Sequence, residues 1–179
     1  MNDYYIPLNL ELYPLNKPIT EYETIPYQTI DTKDINVKLY DFLNQHKLIL
    51  FNCGIFYKPA PSFINPHTDC HGGDYVKINY IYGGKDSKMI WYKTKDNIPI
   101  KENIIGKPGS YIPYNLNEVE KVYEQTLSGY NIVQVGIPHN ILNMVESRWC
   151  LTIVIYHQSD YSRVTMTEIK NILNIGRKE

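Results

Sequence analysis

Alanine is almost absent from this chain of 179 residues, occurring once, at Ala60, whereas tyrosine occurs 17 times. Few alanines together with many aromatic and β-branched residues favour strands over helices. Isoleucine, asparagine, lysine and tyrosine are also the residues that an AT-rich genome enriches. We therefore attribute the bias first to codon usage, and it indicates a viral, phage or AT-rich bacterial source.

The chain also lacks an excess of one charge, a cysteine framework and long apolar runs. Its 18 basic and 19 acidic residues leave a formal charge of −1, which gives no net basic field for nucleic acid. The three cysteines have neither disulfide nor zinc-site spacing and indicate reduced thiols. No apolar stretch reaches the roughly 18 residues of a membrane span, and the first residues do not resemble a secretory signal. We expect a cytoplasmic protein without a membrane partner, in the host cytoplasm if the source is viral.

What the chain does have is a series of short strand-like segments between two helix-like ones. Hydrophobic spacing predicts a helix over about 33–45, and a capping box opening at Thr165 predicts a second helix near 166–174. Turn residues at Gly83-Gly84 predict a hairpin between the segments on either side. The charged stretch 116–127 fits a short helix or a loop. The segments typical of strands are 47–57, 75–82, 88–93, 110–113, 130–137 and 149–157.

Strands at this spacing without intervening helices predict a mainly β fold, a double-stranded β-helix of the jelly-roll or cupin-like type with flanking α-helices. We predict one domain over 1–179. It comprises an N-terminal arm and helix over 1–46, a β-helix core over 47–157 and a C-terminal helix over 158–179.

The first chemically informative motif is His67-Thr68-Asp69. Two side chains two residues apart on an extended backbone point to the same face, so this imidazole and carboxylate can chelate one divalent metal. His71 is an alternative ligand, but Asp69 fits the carboxylate role better. A second imidazole, His139, follows a predicted strand 70 residues after Asp69. Two histidines and one carboxylate form the facial triad that leaves coordination positions open in non-haem Fe(II) oxygenases.

Arg148 lies nine residues after His139, at the head of an apolar strand. A buried arginine needs an anionic partner, and a guanidinium can form a bidentate pair with a carboxylate through two parallel hydrogen bonds. Alternation along the strand places Cys150, Thr152 and Val154 on the face of Arg148, with Trp149, Leu151 and Ile153 on the other.

The order HTD, INYIYGG, MIWYK, NIVQVGIPHN and an arginine before an apolar strand resembles the 2-oxoglutarate/Fe(II)-dependent dioxygenases. The likeness covers about Ile49 to His157. It is most like small phage and marine-bacterial members that resemble prolyl and asparaginyl hydroxylases. It implies that His67, Asp69 and His139 bind iron, while Arg148 holds the distal carboxylate of 2-oxoglutarate.

Other cosubstrate contacts remain open at this point. Many relatives place serine or threonine two residues after the arginine, where this chain has Cys150, so we expect the hydroxyl from Thr152 or from Tyr57. Asn79, polar within an apolar strand, fits either a water-facing edge or an amide contacting the cosubstrate. Trp91 and Tyr92 fit either the mouth of the barrel or its core, with the core favoured for Trp91.

The resemblance implies Fe(II) and 2-oxoglutarate as cofactors, O2 as cosubstrate and ascorbate as a further candidate. The implied reaction hydroxylates an amino-acid side chain, in a protein or free. Because Asp69 is present, hydroxylation is favoured over halogenation, in which relatives replace the carboxylate by a small residue. Val154 stands where the nucleic-acid-repair branch usually has a second arginine, which counts against a nucleic-acid substrate.

Two alternatives are a catalytically inactive β-helix that serves as a binding or virion-associated module, and a cupin-type enzyme that uses another metal. Arg148 counts against the second. We expect the loops over 1–30, 58–74 and 94–128 to read the substrate.

Overall fold

The computed structural model describes residues 3–69, 73–99, 101–105 and 110–175. Helix α1 is Val37–Gln45 and helix α2 is Met166–Ile172. The strands are β1 (Tyr5–Pro7), β2 (Gln28–Thr29), β3 (Leu48–Lys58), β4 (Ser62–Phe63), β5 (His67–Asp69), β6 (Val76–Gly83), β7 (Lys88–Thr94), β8 (Ile104–Ile105), β9 (Ser110–Pro113), β10 (Val119–Thr126), β11 (Gly129–Gln134), β12 (His139–Asn143) and β13 (Arg148–His157).

The strands form two antiparallel sheets that together make a jelly-roll-like β-sandwich. One sheet has the order β1-β11-β6-β13-β3-β2, and the other has the order β10-β7-β12-β5-β9-β8, with β4 pairing beside β12. Successive core strands alternate between the sheets along much of the chain. The mainly β prediction with flanking helices is confirmed.

The helices cover the outer face of the first sheet. Alternate residues of β13, Leu151 and Ile153, are fully buried and pack in one apolar cluster with Leu39 and Leu43 of α1 and Ile169 of α2. The intervening residues of β13 face the second sheet. This two-faced strand therefore buries its apolar side under the helices and leaves its other side to line the interior of the sandwich.

Both predicted helices are present, each with a side-chain cap. Asn36 accepts a hydrogen bond from the backbone N–H of Lys38 and begins α1, which is preceded by a 3₁₀ turn over Thr32–Asp34. Thr165 and Glu168 form the predicted capping box of α2. Neither helix among the described residues has the length and apolar character that a bilayer crossing requires.

Two expectations about strand pairing are wrong. β6 and β7 do not form a hairpin: β6 pairs with β11 and β13, whereas β7 pairs with β10 and β12. Gly83 and Gly84, both at positive φ, turn the chain from one sheet into the other. The stretch read as a helix or a loop contains a short 3₁₀ turn and then β10, an eight-residue strand paired with β7.

The inner core is centred on Trp91, which is fully buried between the sheets. Its indole N–H donates to the carbonyl of Gln134 at 2.9 Å, and its ring packs against Tyr4, Tyr5 and Tyr123. Tyr92 is also buried, at 7% exposure. Both residues therefore fill core positions, and the core placement favoured for Trp91 is observed.

We predict that Trp91→Phe lowers the free energy of unfolding by about 2 kcal/mol, since it removes packed volume and leaves the Gln134 carbonyl without its donor. Trp149→Phe is the matched control, because the Trp149 indole N–H has no hydrogen-bond partner among the described residues. Denaturant unfolding of both variants should show the smaller loss for Trp149→Phe. Equal losses would contradict a special role for the Trp91 hydrogen bond.

Candidate metal centre

The structure brings His67, Asp69 and His139 together at one end of the sandwich. His67 and Asp69 lie on the same face of β5, and His139 is directly opposite His67 on β12. One ligand atom from each residue lies within 4.8 Å of the other two. The sequence motif and the pairing of β5 with β12 together create this cluster.

Backbone carbonyls orient both imidazoles. Nδ1 of His67 lies 3.0 Å from the carbonyl oxygen of Asn65, and Nδ1 of His139 lies 2.9 Å from that of Ile137. In the neutral tautomer that donates a hydrogen bond from Nδ1 to the carbonyl, Nε2 keeps its lone pair for a metal. Such outer contacts fix the tautomer of metal-binding histidines.

The electrostatics keep the ligand atoms in the form that a metal needs. Burial, and then the neighbouring His67 ring, lower the pKa of His139 to about 4, so the ring is neutral at neutral pH. Burial alone would raise the pKa of Asp69, but the Lys77 ammonium and the two histidines outweigh it and hold that pKa well below its usual range. Two imidazoles and one carboxylate form a donor set that fits a divalent first-row transition metal, including Fe(II).

Lys77 is a part of the site that the sequence analysis missed. Its ammonium donates to Oδ2 of Asp69 at 2.5 Å, whereas Oδ1 of the same carboxylate faces Nε2 of His67 at 3.7 Å. A signal for it was available, because Lys77 lies two residues before Asn79 and shares its face of β6. The carboxylate thus offers one oxygen to Lys77 and turns the other toward His67.

A cavity of about 740 Å³ opens beside the cluster. His67, Asp69 and Thr152 line it, and His139 is buried next to them at 5% exposure. Among the described lining residues Asp69 is the one acid. The basic and aromatic lining residues are Lys58, Lys77, Arg163, Tyr27, Phe51, Phe56, Phe63, Tyr75, Tyr111 and Tyr156.

The three segments expected to read the substrate all reach the cavity. The N-terminal arm contributes Tyr27, whose ring lies so close to Gly54 that a Cβ there would be 2.5 Å from it. The segment after β3 contributes Phe63, and the later segment contributes Tyr111. The glycine therefore lets an aromatic ring of the arm form part of the cavity wall.

Arg148 lies deeper in the interior, at the far end of β13. Val154 of that strand is opposite Lys77, and Arg148 is six residues away, about 20 Å along an extended strand. Its guanidinium lies beside the thiol of Cys150, whose pKa is raised by burial although Arg148 opposes the shift. Arg148 is only 4% exposed and forms no ion pair with any described carboxylate.

Thr152 and Asn79 occupy the interior between the three candidate metal ligands and Arg148. They are direct partners across β13 and β6, and each is 8% exposed. The water-facing alternative for Asn79 is wrong, because β6 is flanked by β11 and β13 rather than lying at an edge. Oδ1 of Asn79 has no hydrogen-bond partner among the described residues. A contact of either residue with a cosubstrate stays a prediction.

Tyr57 is not brought to the site. It lies opposite Trp149, packs against that ring in a tilted arrangement with 4.7 Å between centroids, and donates a hydrogen bond to Ser147 Oγ at 3.2 Å. Since Trp149 packs on the outer face of the sheet, Tyr57 also faces outward. The expectation that it supplies the hydroxyl is therefore corrected, and Thr152 is the candidate that lies inside.

Some of the residues named in the sequence analysis lie outside the part of the chain that the structure describes, namely Cys70, His71, Gly72 and the turn at 107–109. Cys53 and Cys150 are free, buried thiols. His46, at the end of α1, lies away from the cluster, with Nδ1 2.8 Å from the carbonyl oxygen of Phe42.

No protein-family model and no curated protein matches this chain. The solved structures that are similar to it include E. coli ycfD (TM-score 0.38, 11% identity, 80% of this chain and 35% of that one) and an oxidoreductase of the 2OG-Fe(II) oxygenase family from Burkholderia pseudomallei (0.40, 9%, 79% and 77%). Another is procruciferin, an 11S globulin from Brassica napus (0.36, 12%, 90% and 36%). The chain thus spans about a third of the length of the first and third.

We predict that the protein binds one divalent transition metal at this cluster. Removing a group that only hydrogen-bonds a metal ligand typically lowers metal affinity roughly 10–100-fold. Replacing His67, Asp69 or His139 by alanine removes a ligand itself and should therefore lower the affinity by more than that. Calorimetric titration with Mn(II) or Co(II) measures this effect, and His46→Ala is the matched histidine control that should bind normally. Metal affinity unchanged in all three cluster variants would contradict the site.

Proposed function

We propose that this protein is a 2-oxoglutarate- and Fe(II)-dependent oxygenase that hydroxylates an amino-acid side chain, in a protein or as a free amino acid. The proposal combines the candidate metal-binding triad of His67, Asp69 and His139 with the resemblance of the sequence to that dioxygenase family. Under it, His67, Asp69 and His139 hold the metal, and Arg148 holds the distal carboxylate of 2-oxoglutarate.

The observation that carries the proposal is a buried arginine that no described carboxylate neutralises, on the same interior as a two-histidine, one-carboxylate cluster. An unpaired charge in such a place is costly, so the site is suited to an anionic ligand. The guanidinium reaches back along β13 to Cys150, which leaves about four residues, or roughly 13 Å, to the level of Lys77. This spacing supports the proposal that an anion bound to Arg148 would extend along the interior toward His67, Asp69 and His139.

Each residue then has a definite task. The carbonyls of Asn65 and Ile137 hold the imidazoles so that Nε2 of each would be the atom that binds the metal, and Lys77 holds the second oxygen of Asp69. Thr152 and Asn79 offer polar groups to the cosubstrate along the interior wall. Fe(II) with 2-oxoglutarate supplies the oxidising chemistry when bound, and the protein provides orientation and exclusion of water.

One observation favours the alternative of a catalytically inactive binding module. The Lys77 ammonium already neutralises Asp69 at 2.5 Å, as a resident cation would. If this pair never opens a place for metal, the sandwich would keep its cavity and lose the chemistry. Metal and cosubstrate binding separate the two functions.

The proposal is tested by anaerobic titration of the Fe(II)-loaded protein with 2-oxoglutarate, which should produce the visible charge-transfer band of the chelate. Addition of O2 should then release succinate even without the true substrate. Arg148→Ala should weaken 2-oxoglutarate binding roughly 30-fold or more while leaving metal affinity nearly intact. The reason is that removing one partner of a desolvated charge pair costs about 2–5 kcal/mol of binding free energy.

Arg148→Lys is the matched control and should recover part of the affinity for 2-oxoglutarate, since an ammonium keeps the positive charge but cannot form the bidentate pair. No chelate band and no succinate from folded, metal-loaded wild type would favour the binding module. An unchanged affinity in Arg148→Ala would remove the role assigned to that residue.

A further inference from the structure

A second cation lies directly beside Arg148. Lys58 is the last residue of β3 and the cross-strand partner of Arg148. Partners directly opposite each other project to the same face of a sheet, so both long basic side chains enter the interior. Phe56, two residues earlier on β3, pairs with Cys150 on that same face.

No described residue compensates this pair of like charges. Neither Lys58 nor Arg148 is in an ion pair with any described carboxylate. Burial, followed by the positive charge of Arg148, lowers the pKa of Lys58, which indicates that the two charges lie close enough to repel each other. Like charges opposite each other destabilise a sheet, and burial increases the cost.

The two side chains differ in their access to a ligand. Lys58 is half-buried and lines the cavity that also contains His67 and Asp69, whereas Arg148 lies behind it at 4% exposure. A ligand that enters beside the metal cluster therefore meets the lysine ammonium before the guanidinium. An anion between the two cations would remove their repulsion and satisfy both.

We propose that Lys58 and Arg148 together form a two-cation site for one carboxylate group, in which Lys58 is a binding residue and Arg148 is its buried partner. Identifying that carboxylate with the distal end of 2-oxoglutarate rests on the proposed function. The anion site itself rests on the juxtaposition of the two cations and the cavity.

The test uses glutarate, a five-carbon dicarboxylate without the keto group, so that binding does not require the metal. Calorimetric titration of the metal-free full chain should show binding by wild type, and Lys58→Met should weaken it about tenfold or more. Lys93→Met is the matched control, because Lys93 lies exposed on β7 and pairs with Glu120; it should bind glutarate like wild type. Lys58→Gln, which is shorter and polar, provides a second variant if the methionine variant does not fold.

A second readout distinguishes binding from a merely structural role. Without ligand, Lys58→Met should melt at a higher temperature than wild type, because it removes one of two opposed charges. With saturating glutarate, wild type should gain more in melting temperature than the variant. A structural lysine would instead lower the melting temperature when it is replaced.

The outcomes separate this inference from the proposed function. Glutarate binding that depends on Lys58, without a chelate band from Fe(II) and 2-oxoglutarate, would support the anion site and reject the oxygenase. A normal chelate band with 2-oxoglutarate and glutarate affinities unchanged in both Lys58 variants would support the oxygenase and overturn this inference. Failure of wild type to bind glutarate at millimolar concentration would also overturn it.

Discussion

The alternation of side chains along β13 and β6 is the constraint on which both the fold and the site depend. Residues on one face of β13, such as Leu151 and Ile153, are fully buried under the helices. Because a strand has a period of two, the same burial turns Arg148 and Thr152 toward the opposite sheet. A shift of one residue in the pairing of β13 would exchange its two faces, so that Arg148 and Thr152 would turn toward the helices and Leu151 and Ile153 would turn away from them.

The interior that results has charged side chains at both ends. At one end, Lys77 and Asp69 neutralise each other beside two histidines. At the other end, Lys58 and Arg148 face each other without a described acid. Buried charges are costly unless they are paired or bind a ligand. A metal at the first end and a carboxylate at the second would satisfy both requirements within one cavity.

Period-two alternation and strand spacing predicted the mainly β fold, the helices and the shared face of His67 and Asp69, because these follow from local patterns. That His139 joins the same site was implied by the resemblance to the 2-oxoglutarate/Fe(II)-dependent dioxygenases, and the structure brings the three side chains together. The pairing of β6 with β11 and β13, rather than with β7, depends on contacts between distant segments, which a turn signal does not contain. Tyr57 was misplaced because the face of β3 is decided by its register with β13. Lys58 and Lys77 were missed because a lysine in a strand resembles an exposed residue until its neighbours are known.

The central claim is that one interior holds a metal at one end and an anion at the other. The most direct measurement is a crystal structure of the protein grown anaerobically with Mn(II) and 2-oxoglutarate, with anomalous scattering to locate the metal. We expect one metal peak bound by Nε2 of His67 and His139 and by a carboxylate oxygen of Asp69, with the distal carboxylate of the ligand between Lys58 and Arg148. A metal peak elsewhere, or an unchanged Lys77–Asp69 pair with neither metal nor ligand in the cavity, would contradict the claim.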